Sequence, residues 1–442
     1  MLVEELVIFN KGLYHFVLSP LGQILRSWWW LLLPLLLKDF FLERWLWWKN
    51  EAWLDKNYHP ILLELKIPYD SKKPIRAMET VFANIHAALY HMPDLWESYV
   101  DGQLQTSMAL ELVSIEGEIH FYIRMNEGYR DAVEAAFYAQ YPSIEIIEAE
   151  DYTRQVPLNI PNKDWDLWAT DYMTFKKDAY PIKTYTDFET EREVTDEQKI
   201  DPVAVLMEAF SKVGPKEQIW IQFVITPVGA DTGSTWIKDA LTERDKLAKR
   251  PDKVEKKNKS ILLEATEILL TGEAGKTEER KEAPVLPPEM KMTPGERDVV
   301  AAIENKASKQ GFNTFARFVF LGKRGFFHKG NLRLPFIYFS SYVTNNLNAL
   351  YPFGKTITKV HYSWFFPLNK LRDRRKYLRQ RKLFRNYINR LPPLFPHSGG
   401  QFILNTEELA SLFHFPSWEV SPVPGVSRVS AKKKAPPTLP QE

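Results

Sequence analysis

The sequence of 442 residues contains no cysteine and has almost no excess of charge. The absence of cysteine excludes structural disulfides, thiolate nucleophiles, thiolate zinc sites and iron–sulfur clusters, and it fits a reducing compartment. The sequence has 58 lysines and arginines and 56 acidic residues, so a uniformly basic surface is also excluded. The hydrophobic and charged fractions, 45% and 26%, are typical of a globular chain, and the length predicts two or three domains.

No motif of a catalytic, metal or cofactor site is complete. The segment 271–277, TGEAGKT, is similar to the end of a phosphate-binding loop, in which successive backbone N–H groups wrap the phosphates. However, Leu270 stands where the first glycine of that loop is required. The histidines are scattered, and none has the H-E-x-x-H spacing of a zinc site. We therefore predict no catalytic residue, no metal and no cofactor; an enzyme whose site forms from distant parts of the chain stays open.

The N-terminal tenth is rich in tryptophan but has no long apolar run. Seven of the 14 tryptophans precede residue 54, and the uninterrupted apolar run covers only residues 28–37. A spanning helix needs ~20 apolar residues, whereas tryptophan prefers the headgroup region. We predict a membrane-associated helical segment over 1–56, on the cytoplasmic side of the cell membrane; a buried hairpin in a soluble core is the alternative. The residues expected to contact the membrane are Trp28, Trp29, Trp30, Trp45, Trp47 and Trp48.

Apolar periodicity in the middle of the chain predicts an α+β fold. In 57–155, strands are predicted at 61–67, 107–115, 119–125 and 144–147, and helices begin near 75 and 129. This β-α-β-β-α-β order is that of a ferredoxin-like unit. A second α/β unit is predicted over 156–365, with strands at 167–175, 218–226 and 315–321 and helices at 201–213, from 293 and at 334–350. Its charged segment 237–292 is predicted to be a solvated insertion.

The region 366–420 combines a basic helix with a small capped helix, and a proline- and lysine-rich tail follows at 421–442. Residues 370–390 contain ten basic residues and one acidic residue, with apolar residues at near-helical intervals, which is typical of a basic amphipathic helix. It could bind nucleic-acid phosphates, lie on anionic lipid, or pair with acidic patches of this chain. The candidate binding residues are Lys370, Arg372, Arg374, Arg375, Lys376, Arg379, Arg381, Lys382 and Arg385.

Several segments together resemble a known family. They are ILLELKIP (61–68), IRAMETVF (75–82), LELVSIEGEIHFYIR (110–124), YPSIEIIEAEDYT (141–153), GPKEQIWIQFVITP (214–227), LNTEELASLFHFP (404–416) and KKKAPPTLP (432–440). In collinear order they resemble the non-ATPase N-terminal half, a domain of unknown function, of type IV secretion-related conjugation ATPases from candidate-phyla bacteria (Patescibacteria-type). The sequence ends before any motor domain, so the resemblance implies a scaffold without ATP hydrolysis.

The expected function follows from these features. We expect a non-catalytic, membrane-associated scaffold or coupling component of a DNA- or protein-transfer apparatus, which positions or docks a separate ATPase motor. The membrane is the first expected partner; an ATPase motor subunit, nucleic acid and further copies of the chain are the others. The alternative is a nucleic-acid-binding protein that uses the basic helix and has no motor partner.

Overall fold

The computed structural model describes residues 37–68, 73–188, 201–229, 235–248, 292–360, 362, 366–392, 400–416 and 428–429. The chain divides into two compact units. The first, called here the aromatic unit, consists of Met1–Tyr58 and His91–Gln105. The second, called the sheet unit, consists of His59–Tyr90 and Thr106–Glu442.

The aromatic unit contains helix α1 (Lys38–Asn57) and a π-helical turn at Glu97–Asp101. The turn ends at Gly102, which has a φ of +74°. A Cβ atom at this position would lie 2.5 Å from the carbonyl carbon of Lys49 in α1. Glycine therefore allows both the left-handed backbone and the close approach of this segment to the helix.

The sheet unit is built on one large, mostly antiparallel sheet, so the mixed α+β class is confirmed. Its strands occur in the order β10-β1-β3-β2-β6-β7-β5-β8, with β4 also paired to β1 and β9 to β7. The strands are β1 (Pro60–Pro68), β2 (Met108–Ile115), β3 (Glu118–Asn126), β4 (Glu145–Glu148), β5 (Trp165–Thr174), β6 (Glu217–Val228), β7 (Gly311–Lys323), β8 (Leu350–Pro352), β9 (Phe402–Asn405) and β10 (Arg428–Val429). The helices are α2 (Ile75–Leu89), α3 (Arg130–Gln140), α4 (Tyr185–Phe188), α5 (Pro202–Ser211), α6 (Thr235–Leu247), α7 (Pro294–Ser308), α8 (Leu334–Ser340), α9 (Phe366–Ile388) and α10 (Thr406–Leu412).

The β-α-β-β-α-β order predicted for 57–155 is present. Strands β4, β1, β3 and β2 are neighbours in that order, and α2 and α3 follow β1 and β3 along the chain. The loop between β2 and β3 has positive φ at both Glu116 and Gly117, as a two-residue turn of type I′ requires. Local patterns were sufficient for α2 and α3, because each of these helices buries one face.

The predicted second unit continues the same sheet. Strand β2 pairs antiparallel with β6 from Met108↔Ile225 to Ile115↔Gln218, and β6 pairs with β7 along its whole length. The sheet therefore does not stop at the boundary predicted near residue 155. The reason is that β2, an edge strand of an isolated unit, finds in β6 a long apolar partner that satisfies its free backbone groups.

The two faces of the sheet carry different cores. Leu63 and Leu65 belong to the larger cluster, which also contains the buried residues of α2, α3, α5, α8 and α10. Leu62 and Tyr122 point to the opposite face and belong to a second cluster with Leu383, Phe384 and Tyr387 of α9. The basic helix is therefore the cover of one sheet face.

Three predicted elements are corrected. The helix predicted over 334–350 ends at Ser340, and beyond it the buried side chain of Asn348 donates to the backbone carbonyls of Lys176, Lys177 and Tyr180. The start of the predicted solvated insertion at 237–292 is packed: α6 buries Ala240. Of the predicted tail at 421–442, Arg428–Val429 forms a short strand beside β1. Residues 249–291 and most of the tail lie outside the described residues.

Candidate functional site

The basic helix predicted at 370–390 is present as α9, and its second half is docked on the sheet. Gln380, Leu383, Phe384 and Tyr387 are buried, three of them in the core cluster of that sheet face. The Tyr387 ring lies 5.1 Å from the ring of Trp220 on β6. Positions 380, 383, 384 and 387 recur at spacings of three and four, so they form one stripe of the helix that packs on the sheet.

The opposite stripe of α9 carries charge into solvent. Within the described part of the chain, none of its exposed basic residues forms an ion pair with a carboxylate. This stripe is called the outer face. It consists of Lys370, Leu371, Arg374, Arg375, Leu378, Arg381 and Arg385.

The remaining predicted binding residues of α9 are partly buried. Arg379 donates to the carbonyl of Ile357, and burial, followed by the charge of Arg375, lowers the pKa of Arg379. Burial also lowers the pKa of Lys382, with Arg385 adding to the shift and Asp171 opposing it. Arg372 and Lys376 are half-buried. The repulsion of Arg379 by Arg375 and of Lys382 by Arg385 is a cost that binding of an anion relieves.

Two of the apolar residues at near-helical intervals in 370–390 lie on the outer face. Leu371 and Leu378 are 64% and 55% exposed, whereas Leu383 and Phe384 are buried. Positions 371 and 378 are about two helical turns apart and lie on the same side of the helix, among the arginines. The apolar residues at near-helical intervals therefore form two stripes that point in opposite directions.

A groove of about 580 Å³ runs beside the outer face. Three basic side chains, Arg381, Lys382 and Arg385, line it together with Leu378 and the exposed Leu158. Arg381 also donates to the hydroxyl of Tyr377 and lies over its ring. The groove therefore combines cationic and apolar walls.

Beneath α9, a line of polar side chains that the local sequence patterns did not predict crosses the sheet. Glu111 is the register partner of Gln222, Gln222 of Arg317, and Arg317 of Asp171, so all four point to the same face. All four are fully buried, and Arg317 donates to Asp171 over 2.5 Å. We call this set the polar row. Each member interrupts an apolar strand, as in ALELVSI or IWIQFVI, and that interruption is the signal in the sequence.

Arg390, the last of the ten basic residues in 370–390, is the buried anchor of α9. Its Nε donates to Oε1 of Glu111 over 2.9 Å, and one terminal nitrogen donates to Oδ2 of Asp151 over 2.7 Å. Burial alone would lower the pKa of Arg390, but the charge of Glu111 and the hydrogen bonds to Glu111 and Asp151 together raise it. Burial likewise favours a raised pKa for Asp151, but the hydrogen bonds and charge of Arg390 lower it.

Two tyrosines complete this anchor. The Tyr152 hydroxyl donates to Oε2 of Glu111 over 2.8 Å and lies 2.7 Å from the hydroxyl of Tyr387. Burial, with the charge of Glu111 added, raises the pKa of both hydroxyls well above the ordinary value, so both act as neutral donors. Gln222 donates to Oε1 of Glu111 over 2.7 Å. The carboxylate thus has partners on β6, on the segment after β4 and on Arg390, just beyond the end of α9.

The aromatic unit places three of the predicted membrane residues on α1. Trp45, Trp47 and Trp48 are all exposed, and α1 buries no residue. The indole N–H of Trp45 donates to the carbonyl of Tyr99 over 2.8 Å, which attaches the π-helical turn to the helix. Trp28, Trp29 and Trp30 lie outside the described residues. Among the helices that the structure describes, none has both the length and the apolar character to cross a bilayer.

Other candidate sites of the sequence add little. The segment 271–277 lies outside the described residues. In the described ranges, no three histidine, aspartate or glutamate side chains are grouped so that they could hold a metal ion. His414 is buried and bonds Asp201 over 2.9 Å, at the start of α5. This histidine therefore serves packing.

Comparison with known proteins identifies the family. Over residues 68–424 the chain matches the family described as "Domain of unknown function (DUF8128)". The match covers well over half of the chain, and the chain belongs to this family. No curated protein matches it.

Proposed function

We propose that this member of the DUF8128 family is a non-catalytic scaffold associated with the cytoplasmic side of the cell membrane. In this proposal it belongs to a transfer apparatus of the type IV secretion or conjugation kind and docks a separate ATPase motor. The transfer role is supported by the resemblance of seven segments between residues 61 and 440 to the non-motor half of such ATPases. The membrane role has an independent physical support in the aromatic unit.

The observation that carries the membrane role is the amount of apolar surface that the aromatic unit leaves in water. On α1, Phe40, Phe41, Trp47 and Trp48 are each more than half exposed. Exposed apolar area costs ~25 cal/mol per Å², and a cluster of this kind marks a surface that another apolar phase covers. The residues 91–105 add to the cluster. Their exposed members are Met92, Leu95, Trp96, Tyr99 and Leu104.

The charges flanking these rings fit a membrane interface. Lys49 lies 5.2 Å from the ring centre of Trp45 and 5.5 Å from that of Trp48, and Arg44 lies 4.9 Å from that of Trp47. Cations beside tryptophans are typical of side chains placed at headgroup level. No helix among the described residues could cross a bilayer, and the proposed contact places these rings at headgroup level.

The scaffold role is supported by what the buried ionisable groups do. Lys306 of α7 and Glu408 of α10 are both fully buried and lie 3.1 Å apart. Lys309 bridges Glu79 and Glu407, which joins the end of α7 to α2 and α10. In each case the charges connect separate elements of the sheet unit. Such networks specify one arrangement of helices, as a docking platform needs.

The membrane role is tested by partition of the full-length chain onto neutral phosphatidylcholine vesicles. Replacing Trp47 and Trp48 by Gln is expected to weaken partition by ~100-fold, since each half-exposed ring contributes ~1.4 kcal/mol on burial. The matched control replaces Phe175 and Tyr351, two exposed rings of the sheet unit, and should leave partition unchanged. Equal partition of wild type and the tryptophan variant would refute a membrane contact through α1.

The transfer role is tested by reconstitution with a separately encoded motor ATPase. The purified chain alone should not hydrolyse ATP, and Lys276→Ala should change nothing. With the motor chain, multi-angle light scattering is expected to show a complex of fixed stoichiometry and to report any oligomer of this chain. ATP hydrolysis by the isolated chain that disappears in Lys276→Ala would contradict the non-catalytic assignment.

The exposed basic residues of the outer face support a second candidate, nucleic-acid binding. Exchanging Arg374, Arg375 and Arg381 for Glu would then weaken duplex DNA binding and reduce the salt slope by ~0.9 for each phosphate that the helix no longer neutralises. An unchanged affinity and slope would exclude this helix as the DNA site.

A further inference from the structure

We propose that the outer face of α9 is a second membrane contact, specific for anionic phospholipid. This inference rests on the proposed membrane association and names the lipid that the sheet unit recognises. It starts from the composition of the outer face, in which Leu371 and Leu378 lie among arginines. The helix is already docked on the sheet through its other stripe, so these leucines are not needed to pack it there.

The leucines separate lipid from nucleic acid as the partner. Contact with a phosphate backbone needs cations and hydrogen-bond donors, and exposed aliphatic side chains add nothing to it. Base stacking needs aromatic rings. Beside the outer face, the described part of α9 supplies only the ring of Tyr377, and Arg381 already lies over that ring. An anionic bilayer takes both kinds of side chain, since arginines meet the headgroups and leucines enter the acyl boundary.

The groove beside the outer face has the same dual chemistry. Leu158, 70% exposed, comes from a different segment of the sheet unit, yet it lines the groove with Leu378, Arg381 and Arg385. The volume of about 580 Å³ lies within the range of ligand pockets, ~300–1,000 Å³. The phosphate diester of a phospholipid would lie against the basic side chains of this groove, and the first methylenes of its acyl chains against the leucines.

The anchor beneath the helix makes the contact pre-organised. Gln380 donates to the carbonyl of Leu167, and Arg390 is bonded to Glu111 and Asp151 at the other end of the docked half. The arginines of the outer face therefore project from a helix whose position is fixed by the sheet. Binding then costs little ordering of backbone.

The test measures partition of the full-length chain onto two kinds of vesicle, phosphatidylcholine alone and phosphatidylcholine mixed with phosphatidylglycerol. The wild-type chain should bind the anionic vesicles more tightly than the neutral ones. The variant Arg374→Gln/Arg381→Gln/Arg385→Gln is expected to lose ~100-fold in affinity for anionic vesicles, at about fivefold per basic side chain, with no change on neutral vesicles. The control Lys73→Gln/Lys212→Gln/Arg297→Gln, which removes three exposed cations elsewhere, should lose far less.

The leucines provide the decisive arm. Leu371→Gln/Leu378→Gln keeps every charge. Its affinity for anionic vesicles is expected to fall ~25-fold, because the leucine side chains are no longer there to be buried in the acyl boundary on binding. Val205→Gln, at an exposed apolar position of α5, is the matched control. All of these positions are exposed, so the midpoint of thermal unfolding should not move and a loss of binding reports the surface.

The outcomes distinguish this inference from the proposed function. If neutral partition depends on Trp47 and Trp48 but phosphatidylglycerol adds no affinity, the second contact is refuted while the membrane role stands. If the leucine variant binds anionic vesicles like wild type and the arginine variant loses affinity for duplex DNA, nucleic acid is the partner and the inference is overturned. If the chain binds neither kind of vesicle, both proposals fail together.

Discussion

The buried anchor at Arg390 provides the sharpest test of how the basic helix is held. Arg390→Met removes the guanidinium and leaves its aliphatic volume, so the fully buried Glu111 retains the neutral donors Tyr152 and Gln222 but no longer faces this cation. Removing one partner of a buried ion pair costs ~3–5 kcal/mol, because the remaining charge stays desolvated. We expect the free energy of unfolding to fall by that amount.

A second substitution separates the charge from the packing. Glu111→Gln in the Arg390→Met background removes the uncompensated charge and keeps the hydrogen-bonding shape. The double variant is therefore expected to be ~2 kcal/mol more stable than Arg390→Met, because no unpaired charge stays buried. With wild type and Glu111→Gln, the cycle should give a coupling energy of ~0.5–3 kcal/mol, as is typical of residues in direct contact. Urea unfolding followed by circular dichroism gives the four free energies of the cycle. A cost below ~1 kcal/mol for Arg390→Met, or a double variant less stable than the single one, would refute the reasoning.

The same anchor predicts a dependence on pH. Arg390 lowers the pKa of Asp151 in the folded state, against the opposing effect of burial. The stabilisation is therefore complete above the unfolded pKa of aspartate, ~3.9, and disappears as the pH falls through the lower folded value. The wild-type advantage over Arg390→Met should shrink in that acid range. Hydrogen exchange should also report faster opening of residues 380–388 in the variant at neutral pH.

Three further predictions concern other parts of the chain. Gly102→Ala should cost ~2 kcal/mol or more in the aromatic unit, since the new Cβ meets the Lys49 backbone at a positive φ; proteolysis within 91–105 measures it. Asp201→Ala should cost ~2–3 kcal/mol, because it removes the cap of α5 and the partner of His414. Burial favours a raised pKa of Asp201, but His414 and the cap bonds lower it, so the cost should shrink as the pH falls through the folded value. Phe413→Ala, which empties a fully buried site, should cost ~3–5 kcal/mol in denaturant unfolding with little change in vesicle partition.

Local rules in the sequence were sufficient for elements whose boundaries are set by their own residues. The helix predicted to begin near residue 75 begins at Ile75 and ends at Leu89. Asp201 caps α5 through the amides of Val203 and Ala204, and Asn405 forms a capping box with Glu408. In each case the residues that decide the structure are within four positions of one another, so their chemistry is visible in the order of residues.

The same rules failed where the deciding partner is distant in sequence. Nothing near residue 348 shows that Asn348 bonds carbonyls at 176–180, and so the helix predicted to 350 was too long. Nothing near residue 390 shows that Arg390 meets Glu111, 279 positions away. The charge count for 370–390 therefore could not show that this arginine is a buried anchor.

The sequence by itself determined the class of the fold, the position of the basic helix and the concentration of tryptophan at the start of the chain. Composition and short-range spacing carry this information because they depend only on which side chains lie on one face of an element. Only the tertiary structure decided that one sheet joins both predicted units, that a polar row crosses it, and which stripe of α9 faces solvent. Those facts depend on pairing between distant strands, and the free energy of burying a charge is set by the partner that the fold brings to it.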